Sequence, residues 1–222
     1  YSLKNKNDIN NDSIQNKIIN IFNILSKNQT KDNLNLKNNI LSNSSNDDIE
    51  KEYLDKMIKY RINQESSIKN NSVFKNEETN VLHEKRIIKE IISLGKSLPI
   101  NYNSSIFICC DPNNIQFMRC LIIPSSDTPY AHGCFIFDIY LPNTYPNKPP
   151  LVKIITTGKG TVRFNPNLYK NGKVCLSLLG TWPTKFESEK WNQNTSTIYQ
   201  VLVSILGCIF VKDPYFNEPG YE

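Results

Sequence analysis

The sequence predicts an α+β fold in which a helix leads into an antiparallel meander and a buried helix closes the domain. Three observations carry this. Residues 81–94 are apolar on one helical side, four strand-like runs lie between residues 105 and 156, and residues 196–210 are apolar almost all round. A long irregular loop, residues 161–191, separates the last strand from that final helix and holds Cys175 near its middle.

The 222 residues divide by composition: all 12 Pro, 8 Gly and 6 Cys lie between residues 95 and 220, whereas residues 1–80 hold none of them but contain 19 Asn. We therefore expect an Asn/Lys-rich, partly helical extension over residues 1–79 and a separate domain over residues 80–222. Within the extension, Ile14, Ile18, Ile21, Phe22 and Leu25 recur at helical spacing, as do Ile49, Tyr53, Met57 and Tyr60 after Asp47 and Asp48. The Asn-rich stretches 26–47 and 62–76 read as flexible connections or insertions.

From residue 80 the elements follow in order. Leu82, Ile87, Ile88, Ile91, Ile92 and Leu94 make one face of a helix, Lys85, Arg86 and Lys89 the other, and Gly95 and Pro99 end it. Strand-like runs follow at 105–110, 116–123 and 133–141, the first two joined by the turn Asp111-Pro112-Asn113-Asn114. In the third run Phe135, Phe137 and Ile139 alternate against Ile136, Asp138 and Tyr140, so one face suits a core. Tyr145-Pro146-Asn147-Lys148-Pro149-Pro150 forces an extended chain into a fourth run at 151–156.

Charge and cysteine usage exclude several classes. The net charge of +5 contains no block that reads as a nucleic-acid arm, and no apolar run is long enough for a membrane span. Nothing resembles a signal peptide, so an intracellular, cytoplasmic protein is expected, with the nucleus also open. The cysteines show no CxxC spacing, and Cys109 and Cys110 point to opposite faces of a strand, so reduced thiols are expected rather than disulfides or a zinc site.

The loop contains the chemistry. A Cys-His hydrolase needs a base, and the only histidines, His83 and His132, lie far from Cys175 in sequence. Acyl exchange from a thioester made elsewhere needs no histidine, because exchange between sulfurs is nearly isoenergetic. Asn167, eight residues before Cys175, is suited to hold the loop backbone or offer its amide to a developing oxyanion. Taken singly, each residue also reads as inert, Asn167 as a turn former and Cys175 as a buried thiol.

Several landmarks recur in order: Asn165-Pro166-Asn167 with Cys175 eight residues after its second Asn, the proline-rich 145–150 run, Trp191 before the buried helix, and Asp213-Pro214 after it. In these, over about residues 80–222, the sequence strongly resembles the ubiquitin-conjugating enzymes, whose hallmark is a His-Pro-Asn segment followed by the thioester-forming Cys. FNPNLYKNGKVCLSLLGTW and PYFNEPGYE look most like the large subgroup that doubles as ligases, which carries a longer segment after the cysteine; here residues 184–190 would be a charged, mobile lid.

The resemblance implies the ubiquitin-conjugating fold and an acyl transferase. Cys175 would accept ubiquitin from an activating enzyme, Asn167 would support attack by a lysine, and Glu218, before Pro219, would play a minor acidic part. It implies ubiquitin, the activating enzyme and protein substrates as partners, with or without a separate ligase, and no nucleic acid or membrane. No cofactor or metal is implied, since ATP is used by the activating enzyme. A silent ubiquitin-binding scaffold and an enzyme for another ubiquitin-like modifier are the alternatives. Asn165 replaces the family His, Asn147 replaces an apolar ligase contact, and Gln193-Asn194 replaces Pro-Ala, which puts conventional ligase partnership in doubt. The family's two C-terminal helices have no counterpart before Glu222.

Overall fold

The computed structural model describes residues 45–77 and 83–217, together with Asn23. The expected helix around residues 14–25, Leu82 and Glu218 lie outside the described residues, apart from Asn23 itself.

Helix α1, Ser45–Met57, has Asp47 and Asp48 in its first turn, where carboxylates complement the helix dipole, and continues as a 3-10 turn, Ile58–Tyr60. Its predicted apolar stripe is only partly used. Ile49 and Tyr60 are exposed, while Tyr53 shares a 3.0 Å hydroxyl hydrogen bond with Ser105 and meets the Tyr102 ring edge-on.

Residues 62–76 are not the flexible connection their composition suggests. Strand β1, Ile62–Gln64, pairs in parallel with β2, Ser105–Cys110, and a short helix α2, Ile68–Asn71, follows. Sequence could not show this, because a three-residue strand with one apolar side chain has no alternation to read. β2 continues antiparallel into β3 (Phe117–Ile123), β4 (Phe135–Tyr140) and β5 (Leu151–Ile154), so the expected four-stranded meander is part of a five-stranded mixed sheet.

Helix α3, Glu84–Ser97, packs Ile87, Ile91 and Leu94 on the inner face of the sheet. It runs past Gly95, which is buried, and stops before Pro99. Arg61 donates to the carbonyls of Gly95 and Lys96 at 3.2 Å each, so a cation from the extension satisfies the helix C-terminus. Helix α4, Ile198–Ser204, buries Ile198, Val201 and Leu202 against the same core and starts with a capping box between Thr197 and Gln200. It passes directly into a π-helical turn, Ile205–Ile209.

β4 is buried on both faces, which the alternating pattern did not predict. Asp138 is fully buried, bonded to Arg119 Nε at 2.7 Å and to the Val73 N–H at 2.9 Å, while Tyr140 packs with Ile68, Phe74 and Phe117. The residue 68–74 segment is the cover, so the buried carboxylate on that face pairs with the partly exposed Arg119 instead of meeting water.

Arg86 also departs from expectation: it is half-buried and bound to Glu90 at 2.6 Å and to the Ser196 carbonyl at 2.7 Å. Glu90, buried at 6% exposure, further accepts from the Tyr145 hydroxyl at 2.6 Å and from the Ile198 N–H at 2.7 Å. One carboxylate thus ties α3, the proline-rich run and the N-terminus of α4 together, where a negative charge faces the free amides and dipole of α4. Trp191 donates its indole N–H to the Pro146 carbonyl at 2.6 Å, closing the same corner.

Candidate active site

Residues 165–175 form an irregular hairpin whose arms touch at Asn165 and Leu168 and at Leu168 and Val174. Its tip turns at Gly172, with φ of 87°; a side chain there would meet the Ile154 carbonyl at 2.9 Å. The Gly172 carbonyl accepts from the Ile154 N–H at 3.0 Å, which fastens the tip to β5.

Asn167 and Cys175 are locked across the base of this hairpin. The Cys175 N–H donates to the Asn167 carbonyl at 2.9 Å, and Asn167 Nδ2 donates to the Cys175 carbonyl at 3.0 Å. Because that carbonyl can only accept, the amide orientation is determined, and Oδ1 points elsewhere. Asn167 is 8% exposed and its Oδ1 has no hydrogen-bond partner among the described residues.

Asn165 supports the pair from behind. Its Oδ1 accepts the N–H groups of Asn167 and Leu168 at 2.9 Å each, an Asx turn, and its Nδ2 donates to the Ile209 carbonyl at 3.1 Å. The π turn delivers that carbonyl; such bulges shift the ladder and leave backbone groups for other partners. Tyr130 donates to the Phe164 carbonyl at 3.2 Å on the same side.

Beyond the cysteine, Thr181 Oγ1 accepts from the Leu176 N–H at 3.0 Å and donates to the Val174 carbonyl at 2.7 Å, stapling the 3-10 turn Ser177–Leu179. Residues 184–190 contain an exposed 3-10 turn, Glu187–Glu189, closed by Thr184 bonding Glu189 and Lys190 pairing with Glu187.

Cys175 is itself only 1% exposed. It lies in a small pocket of about 190 Å³ shared with Asn167, Ser177, Trp182, Cys208 and Asn217. A larger groove of about 600 Å³ adjoins it through Ser177 and Cys208, with Glu187 and Glu189 on one wall and Gln200 and Ser204 of α4 among the other residues that line it. Sequence reasoning missed Trp182, Cys208 and Asn217, which no spacing links to Cys175. Asn217 donates to the Cys208 carbonyl at 3.0 Å, and its neighbour Glu218 lies outside the described residues.

His83 and His132 do not line the pocket, so the structure brings no imidazole to Cys175. Among the described residues no group of His, Cys, Asp or Glu could hold a metal ion, and no helix is long and apolar enough to cross a membrane. Burial pushes the Cys110 and Cys120 thiols far above the ordinary range, which marks them as core residues.

Residues 86–220 match the family model described as ubiquitin-conjugating enzyme. The human protein named dual E2 ubiquitin-conjugating enzyme/E3 ubiquitin-protein ligase BIRC6 is 52% identical over 147 residues, which are 66% of this chain and 3% of that protein. Probable ubiquitin-conjugating enzyme protein 17 of Caenorhabditis elegans is 56% identical over 138 residues, 62% of this chain and 19% of its own length. Probable ubiquitin-conjugating enzyme E2 25 of Arabidopsis thaliana is 51% identical over 138 residues, 62% of this chain and 21% of its own. The chain thus spans only a small part of the relatives it matches.

Proposed function

The chain belongs to the ubiquitin-conjugating enzyme family, and from that premise we propose that Cys175 accepts ubiquitin as a thioester from an activating enzyme and passes it to a lysine of a protein substrate. The observation that carries this reading is the interlocked Asn167–Cys175 pair lining one pocket, with a buried Asn167 Oδ1 that has no hydrogen-bond partner among the described residues.

In the first step the Cys175 thiolate attacks the thioester carbon on the activating enzyme. The carbon–sulfur bond to that enzyme breaks and a new one forms at Cys175, with little net change in free energy. In the second step a neutral lysine amine attacks the same carbon, and Cys175 leaves as a thiolate. Asn167 Nδ2 holds the Cys175 backbone, which fixes the position of the acyl carbon. The bare Oδ1 receives an N–H of the incoming amine, since an unpaired buried acceptor gains most from a donor. Glu218 has a minor part, taking up the proton the amine must lose. The short 184–190 turn, on the groove wall, serves ligase-like action without a conventional separate ligase.

One observation favours a second reading, a silent ubiquitin-binding scaffold: Cys175 is 1% exposed, and its thiol must be reached through the small pocket. Incubation with activating enzyme, ATP and ubiquitin separates the two on gels run with and without reductant. A reductant-sensitive adduct that is lost in Cys175→Ala and becomes reductant-resistant in Cys175→Ser supports the enzyme. Ubiquitin binding with no adduct in the wild type supports the scaffold, and charging by a different modifier alone would reassign the substrate.

A further inference from the structure

Residues 139–186 contain seven Lys/Arg and no Asp or Glu, against +5 for the whole chain, so the remainder is net −2. The cations are scattered along the sequence, which hides them from any search for a charge block. The fold gathers five of them. Lys153 on β5 is the direct cross-strand partner of Lys173 on the hairpin, and the Ile154–Gly172 hydrogen bond beside them holds the two strands together. Lys173 Nζ lies 5.7 Å from the centre of the Tyr169 ring, over which the Arg163 guanidinium sits at 4.2 Å. The turn carrying Lys159 abuts Lys170, since a side chain on Gly160 would come 3.6 Å from the Lys170 carbonyl.

Lys153, Lys159, Lys170 and Lys173 are exposed, and among the described residues none has a carboxylate within ion-pair distance. Like charges directly opposite one another in a sheet are destabilising; Asp138 across β4 and the Phe74 ring face Lys153 and the Tyr169 ring faces Lys173, but none of these forms an ion pair with either lysine. An anionic ligand would supply the missing ion pairs. The patch is also rigidly placed, because it lies on the hairpin that holds Asn167 and Cys175: Lys173 is two residues from Cys175, about 7 Å along an extended chain.

We propose that this surface binds an acidic segment of the protein whose lysine is modified, and so selects acceptors with acidic residues near the target lysine. The inference rests on the acyl-transfer reading for its use of the word acceptor, but the binding surface itself is independent of that reading. A protein segment is favoured over nucleic acid because the hairpin that carries Lys170 and Lys173 also carries Asn167 and Cys175, which line a pocket of about 190 Å³ that admits a side chain far more readily than a base. The aromatic ring among them is already covered by Arg163.

The test uses two fluorescent peptides with one central lysine each, flanked by Glu in one and by Gln in the other. By anisotropy the Glu peptide should bind about tenfold more tightly at ~50 mM salt, with the difference mostly lost by ~500 mM as screening shortens the reach of each charge. The combined Lys153→Ser, Lys170→Ser and Lys173→Ser variant should lose the preference, whereas the corresponding Lys→Arg variant should keep it. Equal binding of the two peptides, or a preference that survives in the Ser variant, overturns the proposal. So does an oligonucleotide that displaces the Glu peptide at lower concentration than unlabelled peptide does. Charging of Cys175 is scored separately: if the Glu peptide binds through the patch but wild type never charges, the surface stands and its role in acceptor choice falls with the enzyme reading.

Discussion

Asn167 and Cys175 hold each other by two hydrogen bonds, from the Cys175 N–H to the Asn167 carbonyl at 2.9 Å and from Asn167 Nδ2 to the Cys175 carbonyl at 3.0 Å. The amide nitrogen is therefore committed to the backbone, and the side-chain oxygen is buried with no hydrogen-bond partner among the described residues.

On the proposed transfer, in which Oδ1 receives the incoming amine, the two nucleophiles that can discharge a thioester should respond differently to loss of Asn167. In Asn167→Ala, charging of Cys175 should persist, while discharge to free lysine falls by about 10²-fold, the scale of losing one positioned polar group. Discharge to a free thiol, which brings no N–H to the bare oxygen, should change by less than about threefold. Equal losses for both nucleophiles would mean that Asn167 acts on the oxyanion or the backbone alone.

Asn165 makes three hydrogen bonds with one side chain, and Asn165→Ala should lower stability by about 2–3 kcal/mol, because buried N–H groups and the Ile209 carbonyl lose partners together. Urea denaturation measures this, and loss of hydrogen-exchange protection at Leu168 would locate it.

Glu90 is bound by three donors from three different segments. Glu90→Ala leaves Arg86 Nε, the Tyr145 hydroxyl and the Ile198 N–H without their acceptor and should cost about 3–5 kcal/mol in urea unfolding, with Glu90→Gln costing less. A value under about 1 kcal/mol would show that water replaces the carboxylate there.

Asp138 clips the 68–74 cover onto the sheet. In Asp138→Ala the Val73 amide loses its acceptor and Arg119 its carboxylate, so residues 68–74 should exchange hydrogen much faster while β3 and β4 remain protected. Uniform loss across the sheet would show that the cover and the sheet open as one unit.

The buried thiols set an alkaline limit. Burial raises Cys110 and Cys120 far above the ordinary range, so both stay protonated when folded, yet ionise above about pH 8.5 once unfolded. Their stabilising contribution is complete below that pH and declines above it, by about 1.4 kcal/mol per pH unit for each thiol once ionisation of the unfolded chain is complete. Unfolding free energies measured between pH 8 and 10 should show the decline, and the double variant Cys110→Ala and Cys120→Ala should show much less of it.

The eight-residue spacing from Asn167 to Cys175, the meander, the proline-rich run and the closing helix were legible in the amino-acid order alone. All of these are local: turn chemistry, alternation and helical period act over a few residues, so the chain states them without knowing where it returns. What only the tertiary structure decided depends on distant segments meeting. Asn165 reaches Ile209 across 44 residues, Val73 reaches Asp138 across 65, and Glu90 reaches Ile198 across 108. The residue 62–74 segment reads as a polar link because its one short strand becomes a strand only when β2 offers an edge. The lysines around the hairpin become a single patch only when Gly172 docks on β5. Each of these side chains acquires its role from the partner that the fold brings to it, and no periodicity along the chain encodes that encounter.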